Sequence, residues 1–428
     1  MTANAPDTSS TQQLFKRRYD TDVIKVIPQY SVLRQGMDFK ADAKLGEDFM
    51  FAMMVQYPHG HTWQGGDRYG RVVNMNAAVN GRTINGRVTT CSHTLREQLS
   101  WDLLSGSASK EQAFTRAADL LVTATVDSAN WALELALMHG GGGIGTVLTN
   151  TPTSGTQAEI VVTLASWAPA NFTAFEGGYV DFYDSTLATK QNIEGPVRIV
   201  AVDVSARTLT VEFAGAVDLA AIVATDVMVP FGAYDNWQTG LLRALTLSSA
   251  GSTVYGINTS LYGLTQASTI NVGGALSFTK ISQAAAQLVA KGGQGDFICL
   301  VSPWAWTDIN NQEAANRRYI SDGGNFVNGG DKLVFMGPNG GTLTVMQHCM
   351  MPAGNAVLLD FDDWHRVGTS DPTFDIPGAG NLSVPMQLVP LPDQTGLQFV
   401  RYWNQAPYCE RLARQCLLTG IVNTSLPT

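Results

Sequence analysis

SASKEQAFTRAADLLVTATVDSANWALELALMHGGGGIG, residues 107 to 145, is the stretch whose reading decides the fold. Ser109 followed three residues later by Gln112 has the form of a capping box, in which cap and third helical residue satisfy backbone N–H groups that have no helical partner. Phe114, Ala117, Ala118, Leu121, Thr125, Ser128, Ala132 and Ala136 then recur at three- and four-residue steps, which predicts a helix with one small, apolar face suited to close packing. Gly140 to Gly143 end it, because four glycines release the chain into conformations that do not continue a helix. From Lys110 to Met138 such a helix is about 43 Å long at 1.5 Å per residue, enough to cross a domain. The same glycines, as Gly140, Gly142 and Gly145, match GxGxxG. Dinucleotide binding needs a strand before that motif and a helix after it, so that the pyrophosphate meets a helix N-terminus. Here a helix precedes, with its negative end at the glycines, and a Thr/Val-rich run follows. The motif is therefore read as a helix stop and flexible joint.

Outward from this helix, composition narrows the possibilities. The chain has 428 residues, 45% hydrophobic and only 15% charged, so it has ample core and a surface poor in charge, as surfaces covered by other subunits are. A net charge of -9 argues against a dedicated nucleic-acid binder, which needs a basic face to displace counterions. Cys91, Cys299, Cys349, Cys409 and Cys416 are scattered without a CxxC pair, which reads as reduced, mostly buried thiols. No run of eighteen apolar residues occurs, and the first twenty residues hold no apolar signal core, so neither a membrane span nor export is expected.

In chain order, residues 1–46 are polar and irregular and read as an extended arm; its Lys16-Arg17-Arg18 cluster reads as a solvated face. FMFAMMVQY, GRVVNMNAAV and RTINGRVTT follow as short β-like runs, with hairpin signals at Asn80-Gly81 and Asn85-Gly86. A long two-stranded excursion of this kind is marginal alone and lies on something, here a neighbouring subunit. His59 and His61 at its turn have no Cys or carboxylate cluster beside them and read as loop surface. Between Thr146 and Pro230 the pattern is β: VTLASW, GYVDFYD, VRIVAVDVSARTLTVEF and DVMVPFG, with Ser205-Ala206-Arg207 turning one hairpin. This segment is expected to fold as an insertion of its own. GSTVYGINTSLYG reads as a linker. LSFTKISQAAAQLVAKGG is a helix with Ile281, Ala284, Ala285, Leu288 and Val289 on one face, and FICLV, KLVFM, GTLTVMQ and NAVLLDF are strands for it to pack on. His348 and His365 have no Ser or Cys in a nucleophile motif. Asp360, Asp362 and Asp363 in DFDDW read as a solvated strand end in preference to a cation site. The C-terminal part gives further strands, for which the long helix offers a covering face.

This order of parts resembles the major capsid proteins of tailed double-stranded DNA bacteriophages, whose fold is shared by encapsulins and the herpesvirus capsid floor. Three passages carry the likeness: VYGINTSLYG from Val254, FICLVSPWAWTDINNQEAANRRYI from Phe297, and MQHCMMPAGNAVLLDFDDWHRVG from Met346. The resemblance implies an α+β fold with an N-terminal arm (1–46), an extended β loop (47–100), the spine helix of a peripheral domain (101–146), a β-rich insertion (147–232), more peripheral domain (233–250), an α/β axial domain (251–365) and peripheral return strands (366–428). It further implies a structural, non-enzymatic shell protein of the virion, made in the host cytoplasm. Such a protein forms pentamers and hexamers around double-stranded DNA without sequence-specific binding, and uses no cofactor or metal. A separate scaffolding protein, a portal protein and a decoration or cement protein are the implied partners. Arg68, Arg71, Arg82 and Arg87 stand in the extended loop and are expected at inter-subunit contacts. The competing readings are an encapsulin-like compartment for protein cargo and a nucleotide-dependent enzyme using Gly140 to Gly145.

Overall fold

A computed structural model of the chain describes residues 31–40, 48–63, 74–102, 117–314, 332–336, 341–374, 389–390 and 395–425. The capping box at Ser109 and Gln112, Phe114, the Lys16-Arg17-Arg18 cluster, Arg68 and Arg71 lie outside them. Two compact units divide the chain: residues 1–27, 94–129 and 374–401 form the first, and 28–93, 130–373 and 402–428 the second.

The second unit begins with order where irregular arm was expected. Helix α1 (Val32–Gly36) leads into strand β1 (Asp38–Lys40), because Leu33 and Met37 reach the core, at 0% and 1% exposure. The extended loop is a ribbon of β2 (Asp48–Gln56) and β3 (Arg82–Thr89), paired antiparallel from Asp48 opposite Thr89 onward. Two turn signals resolve differently. Asn80-Gly81 lies just outside β3, whereas Asn85-Gly86 sits inside it, opposite Ala52 and Phe51. Gly86 serves close approach there, since a Cβ on it would overlap the Phe51 ring. Residues 74–78 form no strand; only Val79 bridges back to His59. Strand β4 (Cys91–Ser100) follows.

The spine is helix α2 (Ala117–His139). It stops before Gly140, but burial follows the predicted face only in part: Thr125 and Ala129 are inward while Ser128 is exposed, and Leu133 to His139 are buried all round. A helix end buried on every side must be apolar on every side, which erases the stripe. The glycines after it form a packed joint, not a flexible one. A Cβ on Gly140 would overlap the Gln238 carbonyl, and one on Gly143 would overlap Val227. Strands β5 (Gly145–Ser154), β6 (Gln157–Val162), β7 (Tyr179–Tyr183), β8 (Val197–Asp203), β9 (Thr208–Glu212) and β10 (Val227–Pro230) then close a barrel in the order β10-β5-β6-β9-β8-β7. Alternation fills its interior with Ile160, Val162, Val180, Phe182, Val197, Ile199, Leu209 and Val211, all at 0% exposure. That core is shared: Leu135 of the spine and Met350 and Ala353 of a later turn belong to it, and Ala353 N–H donates to Trp167 O at 3.0 Å.

Helix α3 (Leu241–Ser249) packs beside a small hairpin of β11 (Thr253–Val254) and β12 (Ile257–Asn258). This is the stretch read as a linker; Tyr255, at φ 51, and Gly256, at φ 74, make its turn. A six-stranded sheet runs β13-β21-β17-β14-β16-β15, from β13 (Ser268–Gly274), β14 (Phe297–Val301), β15 (Lys332–Met336), β16 (Thr342–Gln347), β17 (Ala356–Leu359) and β21 (Cys416–Ile421). Helices α4 (Phe278–Ala290) and α5 (Pro303–Ala314) cover it through Ile281, Ala284, Ala285, Leu288, Ala305 and Ile309. The last strand, expected among peripheral return strands, instead lies inside this sheet between β13 and β17. Strands β18 (Trp364–Thr373) and β20 (Gly396–Cys409) pair antiparallel, with β1 parallel to β18. Trp364, Val367, Trp403, Ala406 and Tyr408 on them share a core with Leu133, Ala136 and Leu137 of the spine. In the first unit, β19 (Val389–Pro390) pairs with the start of β20.

Candidate assembly surfaces

The ribbon is two-faced because side chains alternate along a strand. Phe49 and Phe51 point inward onto Tyr408, with ring centroids 5.0 and 5.2 Å apart, and Phe51 meets Tyr255 edge-on. Arg87 N–H donates to the Tyr255 carbonyl at 2.8 Å, so the β11–β12 hairpin seats the ribbon's root. The opposite face holds Met50 and Met54, and the far end Tyr57, Trp63 and Met75; Trp63 is 91% exposed and Met75 89%. Apolar side chains of this size, grouped on one excursion, mark a contact surface. Beneath the ribbon a groove of about 510 Å³ is roofed by Phe51, Met53 and Val55 and rimmed by Lys291, Glu410, Arg411 and Arg414.

Of the four loop arginines, two are described. Arg87 is paired with Asp48 of the same chain, and its guanidinium is half exposed. Arg82 stacks over the Tyr262 ring, 5.5 Å from its centroid. The structure does not bring them into one cluster.

The spine ties the start of the unit to its centre. Glu134, fully buried, accepts the Leu33 N–H at 2.7 Å and the Arg34 N–H at 3.1 Å, satisfying the first turn of α1 with a carboxylate. His348 Nε2 lies 3.0 Å from the same carboxylate. Arg34 reaches Asn130 and Asp371, and Arg366 holds Asp371, Gln405 and the Met37 carbonyl. Burial pushes the Asp371 carboxyl up, but Arg34 and Arg366 outweigh it and hold it low. Sequence reasoning missed this network. Its signal was an acidic residue inside the apolar run WALELALM.

The DFDDW group is not a solvated strand end. Asp360 and Asp363 are buried; burial and the neighbouring Asp360 push Asp363 up to about 6, against an Arg411 Nη2 contact of 2.6 Å. The pair is structural: Asp360 N–H donates to Gln415, and its carboxylate accepts the Asp362 N–H. Among the described residues no three His, Cys, Asp or Glu side chains gather as a metal ion requires. Burial pushes the Cys299, Cys409 and Cys416 thiols up, away from the thiolate a nucleophile needs. At the Gly140 to Gly145 loop a helix precedes and β5 follows, the reverse of a phosphate cradle. No described helix is long and apolar enough to cross a membrane.

Residues 220–379 match the family described as the SU10 major capsid protein. Among solved structures, the capsid of a native GTA particle is 12% identical, with 98% of this chain and 100% of that one covered, at a TM-score of 0.53. The capsid of cyanophage A-1(L) is 10% identical, with 97% and 99% covered, at 0.55. These likenesses span nearly the whole chain and give it the tailed-phage capsid fold. No curated protein matches by sequence.

Proposed function

We infer that this chain, a structural capsid protein with the tailed-phage capsid fold, joins copies of itself into rings of five and six that close an icosahedral shell around double-stranded DNA. The observation that carries the reading is the family match over residues 220–379, a range that takes in α3, α4, α5 and the strands from β10 to β18. Copies that meet through two different patches form rings when the rotation closes. The uncovered face of the ribbon supplies one such patch. Among the loop arginines, Arg68 and Arg71 add forked hydrogen bonds to carboxylates of the next copy, while Arg82 and Arg87, held by Tyr262 and Asp48 of their own chain, stiffen the ribbon that makes the contact. A net charge of -9 suits a wall from which packed DNA must slide freely. In this role the chain resides in the virion capsid, is made in the host cytoplasm and carries out no catalysis. A separate scaffolding protein, a portal protein and a decoration or cement protein are its partners.

Negative-stain imaging of the expressed chain tests the reading, with closed shells or rings expected; dispersed monomers at every concentration overturn it. Removing residues 55–85 is expected to leave a soluble subunit that no longer closes shells. Normal shells from the shortened chain would take the ribbon out of assembly. Particles from infected cells are expected to contain nucleic acid, and particles holding a cargo protein in its place would move the chain to an encapsulin-like compartment.

A further inference from the structure

A second concavity lies apart from the groove under the ribbon, against the spine. It holds about 190 Å³ and is walled by Trp131, Phe175, Phe231, Trp237, Trp403 and His93. Drug-sized ligands and cofactors occupy roughly 300–1,000 Å³, so this space is too small for one, and it has room for a single ring system. The wall is made of rings packed on one another: His93 stacks on Trp403 at 5.0 Å and 11°, and Trp131 meets Phe175 edge-on at 4.9 Å. None of its lining side chains is Asp, Glu, Lys or Arg. Two polar atoms of the wall, Trp403 Nε1 and His93 Nδ1, are buried without a hydrogen-bond partner among the described residues. Buried polar groups without partners are rare and point to a group that is missing. Phe231 at the rim is 55% exposed, although it is a phenyl ring.

The chain also carries a side chain that needs such a site. Trp63, at the far end of the ribbon, is the most exposed of the large apolar residues described, at 91%. Neither the six residues before it, Tyr57-Pro58-His59-Gly60-His61-Thr62, nor the three after it, Gln64-Gly65-Gly66, include Asp, Glu, Lys or Arg, and the nearest charge is Asp67, so seating the ring itself in an uncharged pocket buries no formal charge. Aromatic anchors that fill well-packed pockets are the residues that dominate interface energetics. We propose that Trp63 of one copy seats in the aromatic pocket against the spine of a second copy, with the main chain beside Trp63 reaching the unpartnered Trp403 and His93 atoms. This deepens the shell reading and rests on it, naming the anchor and its socket.

The test keeps the anchor ring and places a cysteine beside it, Thr62→Cys, with one on the pocket's exposed rim, Asn236→Cys, in the full chain assembled into shells and carrying Cys91→Ser, because the native Cys91 thiol lines the pocket. Mild oxidation is expected to give disulfide-linked multimers on a non-reducing gel that collapse with reductant, and neither single variant gives them. Shells of normal size without linked chains overturn the proposal and leave the shell reading standing. Failure of the unmodified chain to form any shell overturns both. A second measurement is independent of cross-linking. Trp63→Ala and Phe231→Ala, both at exposed positions and so tolerable to folding, are each expected to weaken shell assembly by more than about tenfold, and the double variant is expected to be little worse than either alone. Independent, multiplying losses would mean that the two rings do not meet.

Discussion

Glu134 Oε1 lies 3.0 Å from His348 Nε2, with both side chains at 0% exposure. His348 Nδ1 accepts the Met350 N–H at 3.2 Å, so the ring proton sits on Nε2 and is donated to the carboxylate. One carboxylate thus joins three separate chain segments: the first turn of α1 through Leu33 and Arg34, the C-terminal part of the spine, and the turn after β16.

Removing that carboxylate strands two amides and one imidazole in a dry interior. Glu134→Ala is expected to cost about 3–5 kcal/mol of subunit stability, and Glu134→Gln, which keeps one acceptor oxygen, about 1–2 kcal/mol. Denaturant unfolding of the purified subunit measures both. Limited proteolysis adds a local readout, with cleavage between residues 31 and 40 rising in the alanine variant. Unchanged protection there would show that α1 is held by Leu33 and Met37 alone.

Acid is expected to act through His139. Burial pushes its imidazole down from 6.5 to about 4, so between those values the unfolded chain binds a proton that the folded chain refuses. Stability is complete above pH about 6.5 and is lost as pH falls toward 4, by roughly 3 kcal/mol in all. Asp363, raised from 3.8 to about 6, acts in the opposite sense, since the folded chain holds its proton longer and stability declines as pH rises from about 4 to about 6. His139→Gln should therefore flatten the acid side of the stability profile, and Asp363→Asn should make the profile steeper there. Parallel profiles for the three proteins would assign the acid response to other groups.

The barrel supplies a third expectation. A segment bounded by a Gly joint and Pro230 reads as separable, yet its core takes in Leu135, Met350 and Ala353 from outside it. Replacing residues 150–230 by a short linker uncovers these and the Trp131 ring, and is expected to yield insoluble chain or a sharply lower unfolding temperature. A soluble, well-folded remainder would mean that the outer residues repack without the barrel.

What could be read in advance follows from which interactions are local. The spine's end at His139, the hairpin turning at Ser205 to Arg207 and the helix over Phe278–Ala290 depend on periodicity and on turn chemistry, and these are written in neighbouring residues. Glu134 meeting Leu33 spans a separation of 101 residues, and no local pattern marks it. The same holds for β21: its apolar run Cys416-Leu417-Leu418 suits any buried strand, and only the partners β13 and β17 decide which sheet receives it. Asn85-Gly86 failed as a turn signal because the Phe51 ring above it needs the absence of a side chain, a tertiary demand that outweighs the dipeptide's preference.

The last expectation concerns how neighbouring copies hold together. Some shells of this fold are locked by an isopeptide bond from a loop lysine to an asparagine of the next copy, a reaction that requires an amine able to lose its proton. Arginine, with a pKa above about 12, cannot supply one. Between Lys44 and Lys110 this chain has no lysine; Arg68, Arg71, Arg82 and Arg87 stand there instead. Of the two described, Arg87 is already engaged by Asp48 and Arg82 lies on the Tyr262 ring, both contacts of the guanidinium plane. Both contacts lie within one chain, and interfaces between copies built from non-covalent contacts of this kind and from buried aromatic rings come apart one by one in detergent. Shells boiled in detergent are therefore expected to run as a single band near the 45.9 kDa of one chain, with no larger species. A ladder that survives both detergent and reductant would place a reactive lysine outside residues 45–109, and the ribbon would then be an anchor for packing while another segment forms the lock.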